Sequence, residues 1–291
     1  MLTGKLSYLF RFLMFTVISF SFIGGDCSTD PDPEPVPETV APPNSISLSV
    51  DALPGGGSYA IINWTASPDE GEDNFKGYRV ITVTLNSSGQ IVSTFEEREL
   101  PKNPRTHQVL SINRGTRYKT FLLAELEDGT KSDSLETEVY SGVYYNNDGV
   151  IDSYTAGPSN AKSGYGWNPS TGAGTQYAFS LANRELIDIN VRIFGVSDLY
   201  FVTPDFIDES FKSTSYSLVG AGLLAFNETV LQEPDRPTIK IEVDNVYLIK
   251  TEENYYIKVW VKEVTNNPEG YYTVEFDYKV QPVEGLRILK R

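Results

Sequence analysis

The stretch that decides the fold is Ile-Asn-Arg-Gly-Thr-Arg-Tyr-Lys-Thr-Phe-Leu-Leu-Ala, residues 112–124. A turn at Gly115 leads into a run in which every second residue from Tyr118 to Ala124 falls on one face of a strand. In a β-sandwich, a tyrosine just after such a turn fills the corner where the chain crosses between sheets, and its hydroxyl bonds to backbone. We therefore predict that this segment enters a sandwich strand through Tyr118.

The sequence on either side supplies further short strands. Apolar residues alternate at 46–50, 60–65 and 75–83, and again at 107–109 and 136–140, with polar or glycine-containing turns between them. Short strands at this spacing indicate an immunoglobulin-like sandwich, a fold built from seven such strands. Beyond residue 30 no long apolar repeat has helical spacing, so we expect the chain to be all-β.

Specific residues give this region a family likeness. They are Ile62-x-Trp64, Gly77-Tyr78-x-Val80, and Ile112-x-x-Gly115-Thr116-x-Tyr118 followed by Ala124. With these motifs, residues 44–143 resemble a fibronectin type III domain, although Arg114 replaces the proline common before the glycine. The resemblance implies a sandwich whose central tryptophan anchors the core, used as a spacer or adhesion module without catalysis.

Residues 144–291 are predicted to form a second antiparallel β-domain. The clearest signals are three successive strands at 246–251, 255–264 and 271–280, joined by polar turns. Alternating apolar residues also occur at 187–193. In contrast, the segment 164–174 is so rich in glycine that we expect a loop there.

The C-terminal meander carries a second resemblance. Tyr247-Leu248-Ile249-Lys250-Thr251 and Tyr256-Ile257-Lys258-Val259 are similar to the corresponding part of HmuY-like haemophore lipoproteins. The haem ligands of that family have no matching positions here, so the resemblance implies β-topology and no activity.

Residues 1–26 are predicted to be a signal peptide. Lys5 and Arg11 give a positively charged N-terminal region, and an apolar run follows at 12–23. That run is shorter than the roughly 20 residues that a transmembrane helix needs.

The predicted signal ends in Ile-Gly-Gly-Asp-Cys, residues 23–27. This resembles the lipobox of bacterial lipoproteins, in which small residues precede a cysteine that is acylated and becomes the N-terminus. Asp26 stands where that pattern prefers Gly, Ala or Ser. Two interpretations stay open: lipidation of Cys27, or ordinary cleavage nearby with an incidental thiol.

An acidic, proline-rich segment follows at 27–43. Alternating proline fixes the backbone and removes donors, and the carboxylates repel one another, so we expect an extended tether. An acidic stretch after the cysteine also resembles the surface-export signal of Bacteroidetes-type lipoproteins; a plain solvated spacer is the alternative.

Composition excludes several classes of function. The formal net charge of −15 disfavours nucleic-acid partners. One cysteine, Cys27, and one histidine, His107, cannot supply a zinc site of the usual type or a histidine-based nucleophile, and both methionines lie in the signal. Whether the chain is an enzyme stays open, with binding favoured, because two carboxylates would suffice for glycoside hydrolysis.

The segment 146–152, Asn-Asn-Asp-Gly-Val-Ile-Asp, has part of a calcium-loop pattern. Asp148 and Asp152 would be the oxygen ligands around a glycine turn, but Tyr144 stands where a first aspartate is expected. The alternatives are a calcium site and an interdomain turn without metal; we expect no other cofactor.

Aromatic residues are plentiful in the second domain. Those selected as candidate ligand contacts are Tyr165, Trp167, Tyr256, Trp260 and Tyr272. On a flat exposed face they could stack on sugar rings, but alternation of aromatic and lysine residues is also ordinary cross-strand packing.

Together these features predict a bacterial cell-envelope lipoprotein, at the outer membrane or cell surface. The membrane would be a partner through the lipid anchor. The favoured function is non-enzymatic binding or adhesion to an extracellular protein or glycan, and the alternative is accessory glycan binding or degradation.

Overall fold

Antiparallel strands make up most of the regular structure, as the sequence predicts. A computed structural model describes residues 39–53, 57–155, 161–227 and 232–287, all within the compact unit Thr39–Arg291. The predicted signal peptide and Cys27 lie outside the described residues. The helical segments described are α1, Gly222–Asn227, and 3₁₀ turns at Pro68–Gly71, Leu181–Leu186 and Pro204–Phe206. In the described part of the chain, no helix has the length and apolar character needed to cross a membrane.

The N-terminal sandwich has the seven strands that the fibronectin type III resemblance implies. They are β1 (Ile46–Ala52), β2 (Ser58–Trp64), β3 (Phe75–Leu85), β4 (Ile91–Leu100), β5 (Thr106–Val109), β6 (Arg117–Leu126) and β7 (Leu135–Glu136). A three-stranded sheet, β1-β2-β5, faces a four-stranded sheet, β4-β3-β6-β7. Trp64 packs edge-to-face on Tyr78 in the core between them, with ring centroids 5.5 Å apart.

Tyr118 makes the predicted corner. Its side chain is fully buried, and its hydroxyl accepts a hydrogen bond from Asn113 N at 3.0 Å. Gly115 takes a φ of +81° between these two residues, a conformation that glycine adopts without steric cost. The opening stretch therefore fixes the crossing between the two sheets.

The sandwich begins earlier than the sequence indicates. Val40 is only 6 % exposed and belongs to the core. Ala41 N donates to Asp69 Oδ2 at 2.6 Å, and Ser67 Oγ donates to Ala41 O. Residues that the sequence assigns to the end of the tether are thus held against the sandwich, ahead of the predicted boundary at 44.

An ion network on the four-stranded sheet gives a pH prediction. Hydrogen bonds from Arg79 and then Lys76 lower the pKa of the buried Glu125 from 4.5 to about 2, against the opposing effect of burial. Since the folded-state pKa is the lower one, this stabilisation is complete above about pH 4.5 and is lost as the pH falls towards 2.

We expect the free energy of unfolding to fall by about 3 kcal/mol over that interval because of this carboxyl group alone. Urea unfolding of the wild type and of Glu125→Gln at several pH values measures it. The variant should be less stable at pH 7 and show a smaller acid slope; equal slopes would refute the assignment.

The C-terminal sandwich contains ten described strands. They are β8 (Tyr144–Asp152), β9 (Gly164–Trp167), β10 (Gly174–Tyr177), β11 (Ile189–Phe194), β12 (Asp198–Val202), β13 (Thr214–Ala221), β14 (Thr238–Lys240), β15 (Asn245–Thr251), β16 (Tyr256–Asn266) and β17 (Tyr272–Val280). They form two five-stranded sheets, β10-β9-β11-β12-β14 and β13-β15-β16-β17-β8. The three predicted C-terminal strands are confirmed as β15, β16 and β17, which pair successively in antiparallel fashion.

A second tyrosine corner lies in this sandwich. Tyr247 is fully buried, and its hydroxyl accepts from Glu242 N at 2.9 Å and donates to Lys240 O at 2.8 Å. As at Tyr118, the bonded amide lies five residues upstream, and the residue three positions upstream, Asp244, has a positive φ of +71°. The two sandwiches therefore use one device to turn the chain between sheets.

The loop expected at 164–174 is wrong at its two ends, which belong to the paired strands β9 and β10, while residues 168–173 between them are a loop. The glycines there permit close packing. A Cβ on Gly166 would lie 1.8 Å from Leu186 O, and one on Gly174 would lie 2.2 Å from the Tyr165 hydroxyl. At Gly166 and Gly174, glycine therefore allows neighbouring atoms to pack closely against a strand and does not mark a loop.

The interdomain turn expected at 146–152 is also wrong. This segment is part of β8, which pairs with β17. Gly149 lies opposite Phe276, whose ring would be 2.3 Å from an added Cβ. The glycine makes room for that ring and does not mark a turn.

Candidate ligand-binding cleft

A fixed loop places Trp167 at the edge of the C-terminal sandwich. Trp167 ends β9 and pairs with Gly174 of β10. Asn168 orders the loop between them: its carbonyl accepts from Gly172 N at 2.8 Å, and its side-chain oxygen accepts from Ser170 N at 2.9 Å. The tryptophan is therefore presented by a rigid hairpin.

Two adjoining cavities open beside this hairpin, with volumes of about 370 and 150 Å³. Trp167, Pro169 and Lys212 line both, so we treat the two as one cleft. The remaining lining residues are Gly166, Asn168, Thr171, Ala173, Thr175, Tyr177, Glu185, Leu186, Asp188, Thr251, Glu253, Tyr255 and Ile257. The cleft thus combines aromatic rings with hydroxyl, amide and charged groups.

A buried carboxylate supports one wall of the cleft. Asp188 is 4 % exposed; it accepts from Trp167 N at 2.8 Å and lies 3.5 Å from Lys212 Nζ. Lys212 also pairs with Glu253 at 2.7 Å. These contacts fix the hairpin to the wall of the cleft that carries Lys212.

Burial raises the pKa of Asp188 to about 6, although Lys212 and the Trp167 amide both oppose the rise. Burial also acts to lower the pKa of Lys212, but the neighbouring Asp188 and Glu253 hold it above its usual value. The ion pair is therefore formed at neutral pH. A raised carboxyl pKa means that the ionised group costs folding stability, and such costs concentrate at functional sites.

The indole of Trp167 is left without an acceptor. Its side chain is 8 % exposed, and Nε1 is buried with no hydrogen-bond partner among the described residues. An unsatisfied buried donor costs about 1–3 kcal/mol.

The structure does not gather the five sequence-selected aromatics on one exposed face. Tyr165 and Trp167 pack on each other in the core, with ring centroids 5.2 Å apart. Tyr256 is 2 % exposed and donates to Glu233, while Tyr272 packs partly buried at the core margin. Of the five, Trp167 lies on the cleft.

Trp260 lies elsewhere, in a groove of about 230 Å³ where the two sandwiches meet. Its Nε1 donates to Asp244 Oδ1 at 3.0 Å, and Lys262 Nζ lies 3.3 Å from its ring centroid. The neighbouring Lys258 is fully buried and donates to Ala225 O and to Phe226 O, in helix α1. Helix α1 therefore covers part of the face on which alternating aromatic and lysine residues were predicted.

The calcium candidates lie on one strand. Asp148 and Asp152 are four residues apart along β8, which separates them by about 13 Å at the usual strand rise. Asp152 already accepts from Lys162 N, Gln176 Nε2 and Thr273 Oγ1. In the described ranges, no three His, Cys, Asp or Glu side chains are grouped to hold a metal ion.

Sequence reasoning missed Asp188, Lys212 and Glu253. Asp188 lies between Ile187 and Ile189, where a polar residue in an alternating strand is read as solvent-facing. Lys212 and Glu253 are in loops far apart in the chain. No local signal distinguishes any of them from an ordinary surface charge.

Comparison with known proteins adds distant likenesses. The chain is similar to a two fibronectin type III domain segment from chicken tenascin, with 14 % identity and a TM-score of 0.28 over 76 % of this chain and 92 % of that one. It is also similar to the twitchin kinase region from C. elegans, with 11 % identity and a TM-score of 0.28 over 82 % of this chain and 40 % of that one. No family model and no curated protein matches it.

The fold defines the class of protein: an all-β chain with a fibronectin type III-like sandwich followed by a second antiparallel sandwich. Such a fold is compatible with a binding or adhesion module.

Proposed function

We propose that this chain is a lipid-anchored protein of a bacterial cell envelope that binds an extracellular ligand without transforming it. The anchor is Cys27, and the N-terminal sandwich is the spacer. The ligand lies in the cleft beside Trp167. The outer membrane or cell surface is the proposed location.

The anchor rests on the sequence. A positively charged N-terminal region and a short apolar run lead into the segment Ile-Gly-Gly-Asp-Cys, which ends in the one cysteine of the chain. Each buried lipid CH₂ adds about 0.8 kcal/mol to membrane binding, so several acyl chains would hold the protein firmly.

Cys27→Ala should move the protein from the membrane fraction to the soluble fraction of a bacterial host, because no acyl chain can be attached. Immunoblots of both fractions and the intact mass of the membrane-bound form measure this. Ser28→Ala is the matched control and should stay in the membrane. An unmodified thiol at residue 27 in membrane-bound wild type would contradict the anchor.

The observation that carries the binding function is the cleft of mixed polar and aromatic lining, whose wall includes Trp167, a residue with a buried Nε1 that has no hydrogen-bond partner among the described residues. The rigid hairpin and the Asp188–Lys212 pair hold this donor in place before any ligand arrives. Preorganisation of this kind reduces the entropy lost on binding.

Trp167→Phe should weaken ligand binding about tenfold, because the ring is kept while one hydrogen-bond donor is lost. Binding of the full chain to arrays of defined glycans and of extracellular proteins identifies the ligand, and titration of the variants measures the loss. Trp64→Phe is the matched control, since Trp64 Nε1 is also buried without an acceptor but lies in the N-terminal core. Equal loss in both variants, or no ligand in either array, would contradict the proposal.

Glycan binding is the second candidate. The lining of the cleft favours it, because Trp167, Tyr177 and Tyr255 lie among hydroxyl and amide groups that suit sugar oxygens. Binding to glycans and not to proteins on the arrays would select this candidate.

A further inference from the structure

Another cavity, of about 300 Å³, shares no lining residue with the cleft. Its lining residues are Tyr154, Phe179, Ser180, Leu181, Arg192, Ile207, Asp208 and Phe211. Most of them are apolar or aromatic, with one cationic side chain. We call it the Arg192 cup.

Arg192 is held firmly in this cup. Its guanidinium carbon lies 3.7 Å from the ring centroid of Tyr154 and 5.0 Å from that of Phe179. Nε donates to Asn190 Oδ1 at 2.6 Å, and the fully buried Asn190 donates in turn to Ser163 O. The guanidinium is therefore positioned before any ligand binds.

No carboxylate pairs with Arg192 among the described residues, whereas Arg79, Arg105 and Arg287 each pair with a glutamate. Burial lowers the pKa of Arg192, and Tyr154 opposes this. Arg114 and Arg117 are also half-buried without a carboxylate among the described residues, but each donates from a terminal guanidinium nitrogen to a backbone carbonyl. The carboxylate of Asp208, also at the cup, accepts from Ser210 N at 2.9 Å in its own loop.

The apolar side of the cup is partly open. Phe179 and Phe211 stack with ring centroids 4.4 Å apart and an interplanar angle of 6°. Leu181 and Ile207 are 60 % and 40 % exposed at the rim. This surface fits the apolar part of a ligand whose anionic group pairs with Arg192.

We propose that the Arg192 cup binds an organic carboxylate with an apolar body, with the guanidinium pairing the carboxylate and the phenylalanine rings contacting the body. Arginine presents paired N–H donors that match a carboxylate. The free acid and the C-terminal carboxylate of an apolar peptide share this chemistry. The site goes beyond the function proposed for the Trp167 cleft and does not depend on it.

Ligand-observed ¹⁹F NMR with the full chain tests the proposal. 4-Fluorobenzoate should bind, and 4-fluorobenzamide should bind at least about tenfold more weakly, because it lacks the charge. Acetate should compete poorly, since it lacks the apolar body. Binding of N-acetyl-phenylalanine but not of its amide would identify a peptide C-terminus as the source; binding of benzoate alone would identify a free acid.

Arg192→Gln should weaken 4-fluorobenzoate binding about tenfold or more, whereas Arg236→Gln, an exposed arginine outside the cup, should leave it unchanged. Asp208→Asn removes a negative charge at the cup that repels the ligand carboxylate, so binding should tighten. A gain in affinity cannot result from loss of the fold. Equal binding of the amide and the acid, or unchanged binding in Arg192→Gln, would overturn the proposal.

Discussion

Gly166→Ala is expected to destabilise the chain by about 3 kcal/mol and to distort the Trp167 cleft. The added Cβ would lie 1.8 Å from Leu186 O and 2.9 Å from Leu186 C, which are backbone atoms and cannot rotate away. Strand β9 must therefore move away from the backbone of Leu186. The hydrogen bond from Trp167 N to Asp188 lies beside this contact, so ligand affinity should fall together with stability.

Urea unfolding followed by circular dichroism measures the loss. Gly71→Ala is the matched control, because no atom lies within 4 Å of the Cβ that it adds. It should change the free energy of unfolding by less than about 0.5 kcal/mol. If Gly166→Ala proved equally harmless, the close packing of β9 described above would be incorrect.

Tyr118→Ala should have the other large effect, a loss of about 3–5 kcal/mol. The ring is fully buried and packs on Phe95 and Tyr140, and its hydroxyl satisfies Asn113 N. Removal leaves a cavity and takes away the acceptor of the part-buried Asn113 amide. A domain is stable by only about 5–15 kcal/mol, so this variant approaches the limit for folding.

Tyr118→Phe separates the two contributions, since it keeps the ring and loses the hydroxyl. We expect Tyr118→Phe to lower the free energy of unfolding by about 0.5–1.5 kcal/mol, through loss of the hydrogen bond to Asn113 N. Tyr247→Phe should lose a similar amount, because it has the equivalent bond to Glu242 N. A loss at Tyr118 with none at Tyr247 would show that the two corners are not equivalent.

The sequence predicts those parts of the fold that are determined by residues close together in the chain. Tyr118 after Gly115 predicts a corner because a turn residue and its tyrosine are neighbours in the chain. The alternation in β16 correctly places Ile257 and Val259 in the core. The equivalent corner at Tyr247 was missed because Asp244 replaces the glycine that marks such a turn.

Contacts between segments that are far apart in the chain leave no local pattern, so the sequence does not predict them. Strand β4 was not assigned, because Ile91–Leu100 is an exposed edge strand whose partner is β3. The glycines at 164 and 166 indicate a loop in the sequence, but in the structure they make room for Ile187 and Leu186, which pack against them from another segment. Asp188 and Arg192 became candidates for the same reason, since their neighbours come from several different segments.

Ligand binding at the Trp167 cleft can be observed directly, because the chain contains three tryptophans in three different environments. Trp64 lies in the N-terminal core, Trp260 in the groove between the sandwiches, and Trp167 at the cleft. Incorporation of 5-fluorotryptophan gives one ¹⁹F resonance for each, and single tryptophan-to-phenylalanine variants assign them. Titration with the ligand found on the arrays should shift the Trp167 resonance and leave the other two in place; a shift at Trp64 or Trp260 with none at Trp167 would contradict the account.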